Sequence, residues 1–191
     1  MKAVGIFGGS FDPIHLGHLI TTRLVYEKRN LDKVIFVPNN ISPLKTDLTP
    51  TSSLHRMNML KLAVESFPYF EVSDYEINKS GVSYTYDTLL ELKKSYPKLE
   101  LIIGYDNLLV FDKWHLPEKI LELVTLVVMK RSTDIEAETK SKFFDTATII
   151  NTPTIEISAT EIRKRVKEGL SIEYLVPKSV KEYISQNGLY K

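Results

Sequence analysis

The chain contains no cysteine, which excludes disulfides and thiolate-ligated metal sites. It carries almost no net charge: 25 Lys and Arg against 24 Asp and Glu leave a formal +1. A protein that holds nucleic acid mainly through its overall charge is thereby excluded, although a local basic patch is not. No apolar run approaches the roughly 20 residues needed to span a bilayer. The first such run, Ala3 to Phe7, stops at Gly8-Gly9; it is too short for the apolar region of a signal peptide and no cleavage site follows. The expectation is a cytoplasmic protein whose partners include neither nucleic acid nor membrane. Two phosphate-binding patterns are also absent. Neither G-x-G-x-x-G nor G-x-x-x-x-G-K-[ST] occurs, so the chain has neither the dinucleotide fingerprint nor a P-loop.

What is present is the composition of a globular protein, 43% hydrophobic and 26% charged over 191 residues, a length that suits one domain spanning 1–191. Apolar, β-prone segments predict strands over 3–7, 33–38, 70–73, 99–106, 125–130 and 154–158. Between them, apolar residues at helical spacing predict helices over 16–28, 54–67, 85–96, 117–123, 159–168 and 177–186. Strands that alternate with helices and are apolar throughout belong to a parallel sheet covered on both faces. The predicted fold is α/β: a Rossmann-like, doubly wound, mainly parallel sheet of five or six strands, in a single domain with a C-terminal helical segment. The charged stretch RSTDIEAETKSK at 131–142 reads as a solvated loop or helix face.

The first strand ends in GGSFDPIHLGH. In doubly wound sheets the position just past a strand's carboxyl end is where ligands bind. Glycines there let backbone N–H groups approach phosphate oxygens, and the following helix adds its positive end. Pro13 keeps Asp12 out of helix, so the helix starts near Ile14 or His15, and His15 and His18 share a face of its first turn. Such a pair can cap the helix, pack, ligate zinc or donate to phosphate. With no third ligand at a recognisable spacing, zinc is set aside and no protein metal site is expected. His55 and His115 lack a comparable context and read as structural or surface residues.

Other segments carry weaker signals. Ser158-Ala159-Thr160-Glu161 has the form of a capping box, with Arg163 on the first turn where an anion would sit, although an ordinary helix start looks the same. Lys45 is a loop lysine after the second strand, suited to a phosphate or simply to solvent. Asp106 follows the apolar strand LELIIG and could hold a ribose hydroxyl or cap a helix. In GVSYTYDTLLEL, Ser83, Tyr84 and Thr85 stand where a helix begins. Trp114 fits ring stacking or core packing.

GGSFDPIHLGH resembles the signature of the nucleotidyltransferases with an H-x-G-H motif. VPNNISPLK (37–45), GVSYTYDTLLEL (81–92), GYDNLLVFDKW (104–114), ISATEIRKRV (157–166) and the closing YLVPKSVKEYISQNGLY together resemble the bacterial nicotinate-mononucleotide adenylyltransferases, in order and at that family's spacing. Ala159 stands where a second Ser is common, and Tyr105 where a small residue is usual. The resemblance implies an ATP-dependent adenylylation of nicotinate mononucleotide that releases pyrophosphate, in NAD biosynthesis. It implies catalytic roles for His15, His18 and Arg163. ATP contacts would come from Gly8, Gly9, Ser10, Phe11, His15, His18, Gly104, Asp106, Ser158, Thr160 and Arg163. Acceptor contacts would come from Asn40, Lys45, Tyr84, Thr85, Asp106 and Trp114. Mg²⁺ would accompany ATP, bound largely by phosphates and water. Homo-oligomerisation is compatible with the sequence and not dictated by it.

The implied chemistry suits these residue types. A phosphate monoester has a second pKa of about 6 and is already an anionic nucleophile at neutral pH. The site must align the reactants and neutralise charge on the departing pyrophosphate, rather than remove a proton; a histidine acting as base is the minor alternative. Rival readings are a sister transferase with another acceptor, such as nicotinamide mononucleotide or phosphopantetheine, and a nucleotide-sensing module without catalysis.

Overall fold

The structure is a computed structural model that describes residues 1–40, 51–79, 81–134 and 142–191. Six strands, β1 (Val4–Gly9), β2 (Lys33–Pro38), β3 (Phe70–Val72), β4 (Leu99–Gly104), β5 (Thr125–Arg131) and β6 (Thr148–Thr152), form one sheet in the order β3-β2-β1-β4-β5-β6. Every pairing is parallel. The helices are α1 (Leu16–Arg29), α2 (Ser53–Val64), α3 (Tyr75–Asn78), α4 (Thr85–Lys93), α5 (Tyr105–Leu109), α6 (Pro117–Leu123), α7 (Ala159–Lys167) and α8 (Lys178–Gln186). The expected doubly wound α/β fold is what forms.

The strands are apolar throughout because both faces are buried, with successive side chains pointing to opposite sides. Phe7, Val34, Phe36, Ile102 and Val127 face a core shared with Leu19 and Val25 of α1, Met59 and Leu60 of α2, Ile162 of α7 and Val180 and Ile184 of α8. Their neighbours Ile6, Ile35, Leu101, Ile103 and Val128 face a second core with Leu89 of α4, Leu108 of α5 and Ile120 of α6. The expected helical segment after the sheet, α7 and α8, is therefore part of the first core.

One predicted strand is displaced. TIEIS (154–158) alternates like a strand yet has no ladder; the edge strand is TIINT (148–152), paired with Val127 to Arg131 of β5. Pro153 ends it, and beyond that point no strand among the described residues offers partners, so 154–158 runs on as an irregular link to α7. The strand predicted over 99–106 also stops early: Tyr105 and Asp106 open the short helix α5. The charged stretch 131–142 begins as the end of β5 and a turn, and 135–141 lies outside the described residues.

The chain runs from β1 outwards to β3 and then returns to β4 on the other side of β1. β1 and β4 pair only from Val4↔Leu99 to Phe7↔Ile102. Past that point Gly8 and Gly9 stay with Val37 and Pro38 of β2, while Ile103 and Gly104 stay with Val128 and Met129 of β5. The sheet therefore splits at its carboxyl edge where the winding reverses, which is the ligand position of this architecture.

Gly5 is the tight point of the central strand. A Cβ there would lie 2.8 Å from Leu31 Cδ1, 2.9 Å from Ile102 Cδ1 and 3.1 Å from Val34 Cγ2, all on fully buried side chains. Gly5→Ala is expected to lower stability by about 1–3 kcal/mol through overpacking. Urea unfolding measures this, and an unchanged midpoint would refute it.

Candidate active site

The glycine turn is held by its own side chains. Gly9 accepts a hydrogen bond from Asn39 N–H at 3.0 Å. Phe11 takes the left-handed conformation, φ 47°, and its ring is buried edge-on against Phe7, Phe36 and His18 at 5.6, 5.7 and 5.3 Å between centroids. A Cβ on Gly9 would come within 3.0 Å of that ring, so the second glycine makes room for the phenylalanine. Phe11 thus has only its backbone to offer a nucleotide.

α1 begins at Leu16, where the predicted helical span begins, one residue past the start that Pro13 suggests, with His15 as its N-cap. His15 Nδ1 accepts from His18 N–H and His18 Nδ1 accepts from His15 N–H, both at 3.3 Å. The two rings stack with centroids 3.6 Å apart. Of the readings the sequence offers for this pair, capping is the one the geometry displays. A ring nitrogen that accepts must be unprotonated, so in each imidazole, when neutral, the proton sits on Nε2. Burial pulls the His15 pKa down from 6.5 to about 4, which keeps that ring a neutral donor at physiological pH. Gly17 completes the motif, since a Cβ there would lie 3.0 Å from His15 Nδ1.

The start of α7 is brought against this turn. Ser158 is its N-cap and accepts from Glu161 N–H at 3.1 Å; the return arm from Glu161 is not formed. Arg163 lies in the second turn rather than the first, because the helix begins at Ala159. Its side chain reaches back: Nη2 donates to Thr160 Oγ1 at 3.2 Å and Nη1 to the Asp12 carbonyl at 2.8 Å. Arg165 faces elsewhere and donates to the Ser171 carbonyl. His15, His18, Thr160 and Arg163 are thus gathered around the Gly8–Pro13 segment.

A cavity of about 480 Å³ opens from the same turn, lined by Gly8, Gly9, Ser10, Tyr84, Thr85 and Trp114 among others. Tyr84 is the N-cap of α4 and makes no side-chain cap, and Thr85 is the first helical residue. The Tyr84 side chain therefore caps none of the leading N–H groups of α4, of which that of Asp87 already donates to the Tyr84 carbonyl at 3.1 Å. Trp114 packs on Phe111 at 5.1 Å, and its buried Nε1 has no partner among the described residues. His115, expected to be structural or surface, meets the Tyr84 ring at 4.5 Å and joins the lining. Glu76, not anticipated from sequence, is buried in the same wall and accepts from Thr88 Oγ1 at 2.6 Å. Burial pushes its carboxyl pKa up, and hydrogen bonds from Thr88 and Ser83 oppose that.

Asn40 belongs to this wall through its backbone, its N–H donating to Ser83 Oγ at 3.0 Å. Gly104 is the N-cap of α5, and a Cβ there would meet nothing within 4 Å. Asp106, in the first turn of α5, is 80% exposed and pairs with Arg131 at 3.2 Å. Lys45 lies outside the described residues. Among the described residues no three His, Cys, Asp or Glu side chains converge on a metal position, and no helix is long and apolar enough to cross a membrane. A fully buried arginine, Arg56 of α2, was also missed: it donates to the carbonyls of Thr51, Ser10 and Asn39 at 3.0, 2.8 and 2.7 Å.

The burial of His15 has a consequence for stability. Its pKa in the fold, about 4, lies below the unfolded value of about 6.5. Between these the unfolded chain binds the extra proton, so stability is full above pH 6.5 and falls as pH drops towards 4. The loss is about 3 kcal/mol when complete. Urea unfolding at pH 7 and pH 4.5 is expected to show the wild type losing more stability than His15→Gln. Equal losses would refute the account.

Comparison with known proteins agrees with the geometry. The cytidylyltransferase-like family model matches residues 6–165. The nicotinate-nucleotide adenylyltransferase of Bacillus subtilis is 40% identical over 194 aligned positions, covering 100% of both chains. Among solved structures, the nicotinic acid mononucleotide adenylyltransferase of Plasmodium falciparum, complexed with NaAD, superposes with a TM-score of 0.81 at 23% identity, covering 100% of this chain and 98% of that one. The same enzyme complexed with APC gives the same values; both carry the fold alone. A split parallel sheet, a glycine turn faced by reciprocally capped histidines and a full-length relative at this identity place the chain in the nicotinate-nucleotide adenylyltransferase family.

Proposed function

We propose that the chain, as one nucleotidyltransferase unit over residues 1–191, transfers AMP from ATP to nicotinate mononucleotide. The products are nicotinate adenine dinucleotide and pyrophosphate, and the reaction belongs to NAD biosynthesis in the cytoplasm, where ATP is supplied. The observation that carries the reading is the cavity that runs from the Gly8–Gly9 turn to the uncapped start of α4. It joins a phosphate cradle to a carboxylate-seeking helix end.

In this reading the 5′-phosphate of the mononucleotide attacks the α-phosphorus of ATP and pyrophosphate leaves. The Nε2 donors of His15 and His18, the guanidinium of Arg163 and the start of α7 at Ser158 and Thr160 face the ATP phosphates. They are fixed in place before charge develops on the bridging oxygen, so they stabilise it without reorganising. Gly8, Gly9, Ser10 and Phe11 contribute backbone, and Gly104 with Asp106 the ribose contacts. Lys45 and Asn40 serve the acceptor. Mg²⁺ would accompany ATP, held by phosphate oxygens and water.

At the acceptor end the first N–H groups of α4, with Thr85 and Tyr84, receive the nicotinate carboxylate, and Trp114 stacks on the pyridine ring. A carboxamide would set its NH₂ against those same donors or turn and lose one bond.

Two measurements test this. Pyrophosphate release with a panel of acceptors is expected to show kcat/KM at least about tenfold higher for nicotinate than for nicotinamide mononucleotide, about 1.4 kcal/mol. Equal values would sink the helix-end account. His18→Ala is expected to lower kcat by about a hundredfold or more, as when a donor aimed at developing charge is lost; a folded variant with ordinary kcat would remove His18 from the mechanism.

A further inference from the structure

Arg56 is 1% exposed, and a guanidinium so placed needs acceptors for all its donors. It finds them in loops at the site. Nε donates to the Thr51 carbonyl at 3.0 Å, Nη1 to the Ser10 carbonyl at 2.8 Å and to Asn39 Oδ1 at 3.4 Å, and Nη2 to the carbonyls of Asn39 and Asn40 at 2.7 and 3.5 Å. One side chain thus ties together the loop after β1 and the loop after β2.

In a trans peptide the C=O and the next N–H point in opposite directions. The Asn39–Asn40 peptide displays the result: its C=O turns to Arg56 and its N–H donates to Ser83 Oγ at 3.0 Å. Ser83 Oγ is in turn bonded to the buried Glu76 carboxyl, which also accepts from Thr88. Residues 83–85 and Thr88 belong to the acceptor wall of the cavity. The Ser10–Phe11 peptide is trans as well. Its C=O is held by Arg56 on the α2 side, so the Phe11 N–H is directed away from α2.

The geometry points to Arg56 as a positioning residue that sets both substrate subsites from behind: it aims the Phe11 N–H at the ATP phosphates, and through Asn40 and Ser83 it fixes the wall that receives the mononucleotide. This assignment rests on the adenylyltransferase reading. Arg56 touches neither substrate. Lysine would keep the charge but not the planar fork that spans several carbonyls.

Steady-state kinetics on Arg56→Lys, Ser83→Ala and the double variant test it, run well below the lowest thermal midpoint. Ile184→Val serves as a core-destabilised control expected to keep kcat/KM within about twofold. Arg56→Lys is expected to lose about tenfold or more in kcat/KM for both ATP and nicotinate mononucleotide, and Ser83→Ala about tenfold for the mononucleotide alone. Because the two act in series, the double variant should be no more than about threefold worse than Arg56→Lys towards the mononucleotide, not the full product of the two losses. Losses that multiply, a loss confined to one substrate, or an Arg56→Lys enzyme like wild type would each overturn the inference while leaving the reading intact. A folded wild type that releases no pyrophosphate would overturn the reading, and the inference with it. Should Arg56→Lys not fold, amide NMR of the wild type decides. Saturation with the α,β-methylene analogue of ATP must shift the Phe11 amide, and the Asn40 amide must resist exchange with solvent before any ligand is added; failure of either overturns the inference.

Discussion

Everything at the site depends on β1 and β4 ceasing to pair after Phe7 and Ile102. Above that level each strand keeps only its outer partner, so two carboxyl ends stand apart with backbone between them. A side chain at Gly9 would meet Phe11, and the turn that starts there feeds directly into α1. The reversal of winding creates the gap, and the glycines keep the gap's rim at backbone height. Neither the cradle nor the cavity would exist on a sheet wound in one direction.

The histidines show how a structural need and a chemical one are met by the same bonds. Helix starts leave N–H groups without partners, and side-chain oxygens usually fill them. Here two imidazoles do it for each other. The capping bonds take up both Nδ1 atoms, and burial discourages His15 from gaining a second proton. The fold thereby sets the tautomer, with Nε2 as the donor of a neutral ring. An ionised aspartate in the same places would cap as well and leave no donor at all.

Legibility from sequence followed the range of the interactions. The strand–glycine–helix pattern and the paired histidines are local, and the structure has the turn and both rings where that pattern puts them. TIEIS and TIINT differ little in local pattern; which of them joins the sheet is decided by where β5 ends, a fact about a neighbour. Arg56 sits among the apolar residues of α2 and looks like one charge on an amphipathic helix, because nothing in the local pattern announces that the Ser10 carbonyl, 46 residues upstream, and the Asn39 carbonyl, 17 upstream, will help to satisfy it. Glu76 was hidden for the same reason. Arg163 was placed near phosphate from its helix, but its reach to Asp12 was not visible. Buried polar groups are legible only with their partners, and these partners come from other elements.

The span of those partnerships bears on how the protein is made. Arg163 bonds the Asp12 carbonyl across 151 positions, and the Tyr190 hydroxyl bonds the Asp12 carboxylate at 2.6 Å across 178. A nascent chain can build β1 to β3 with their helices while α7 and α8 are still in the ribosome tunnel, yet Asp12 has neither partner until they emerge. Contacts that close such long loops form late and raise the chain's contact order. Competence for chemistry should therefore arrive only once α7 and α8 have emerged, and not with the half that carries the histidines.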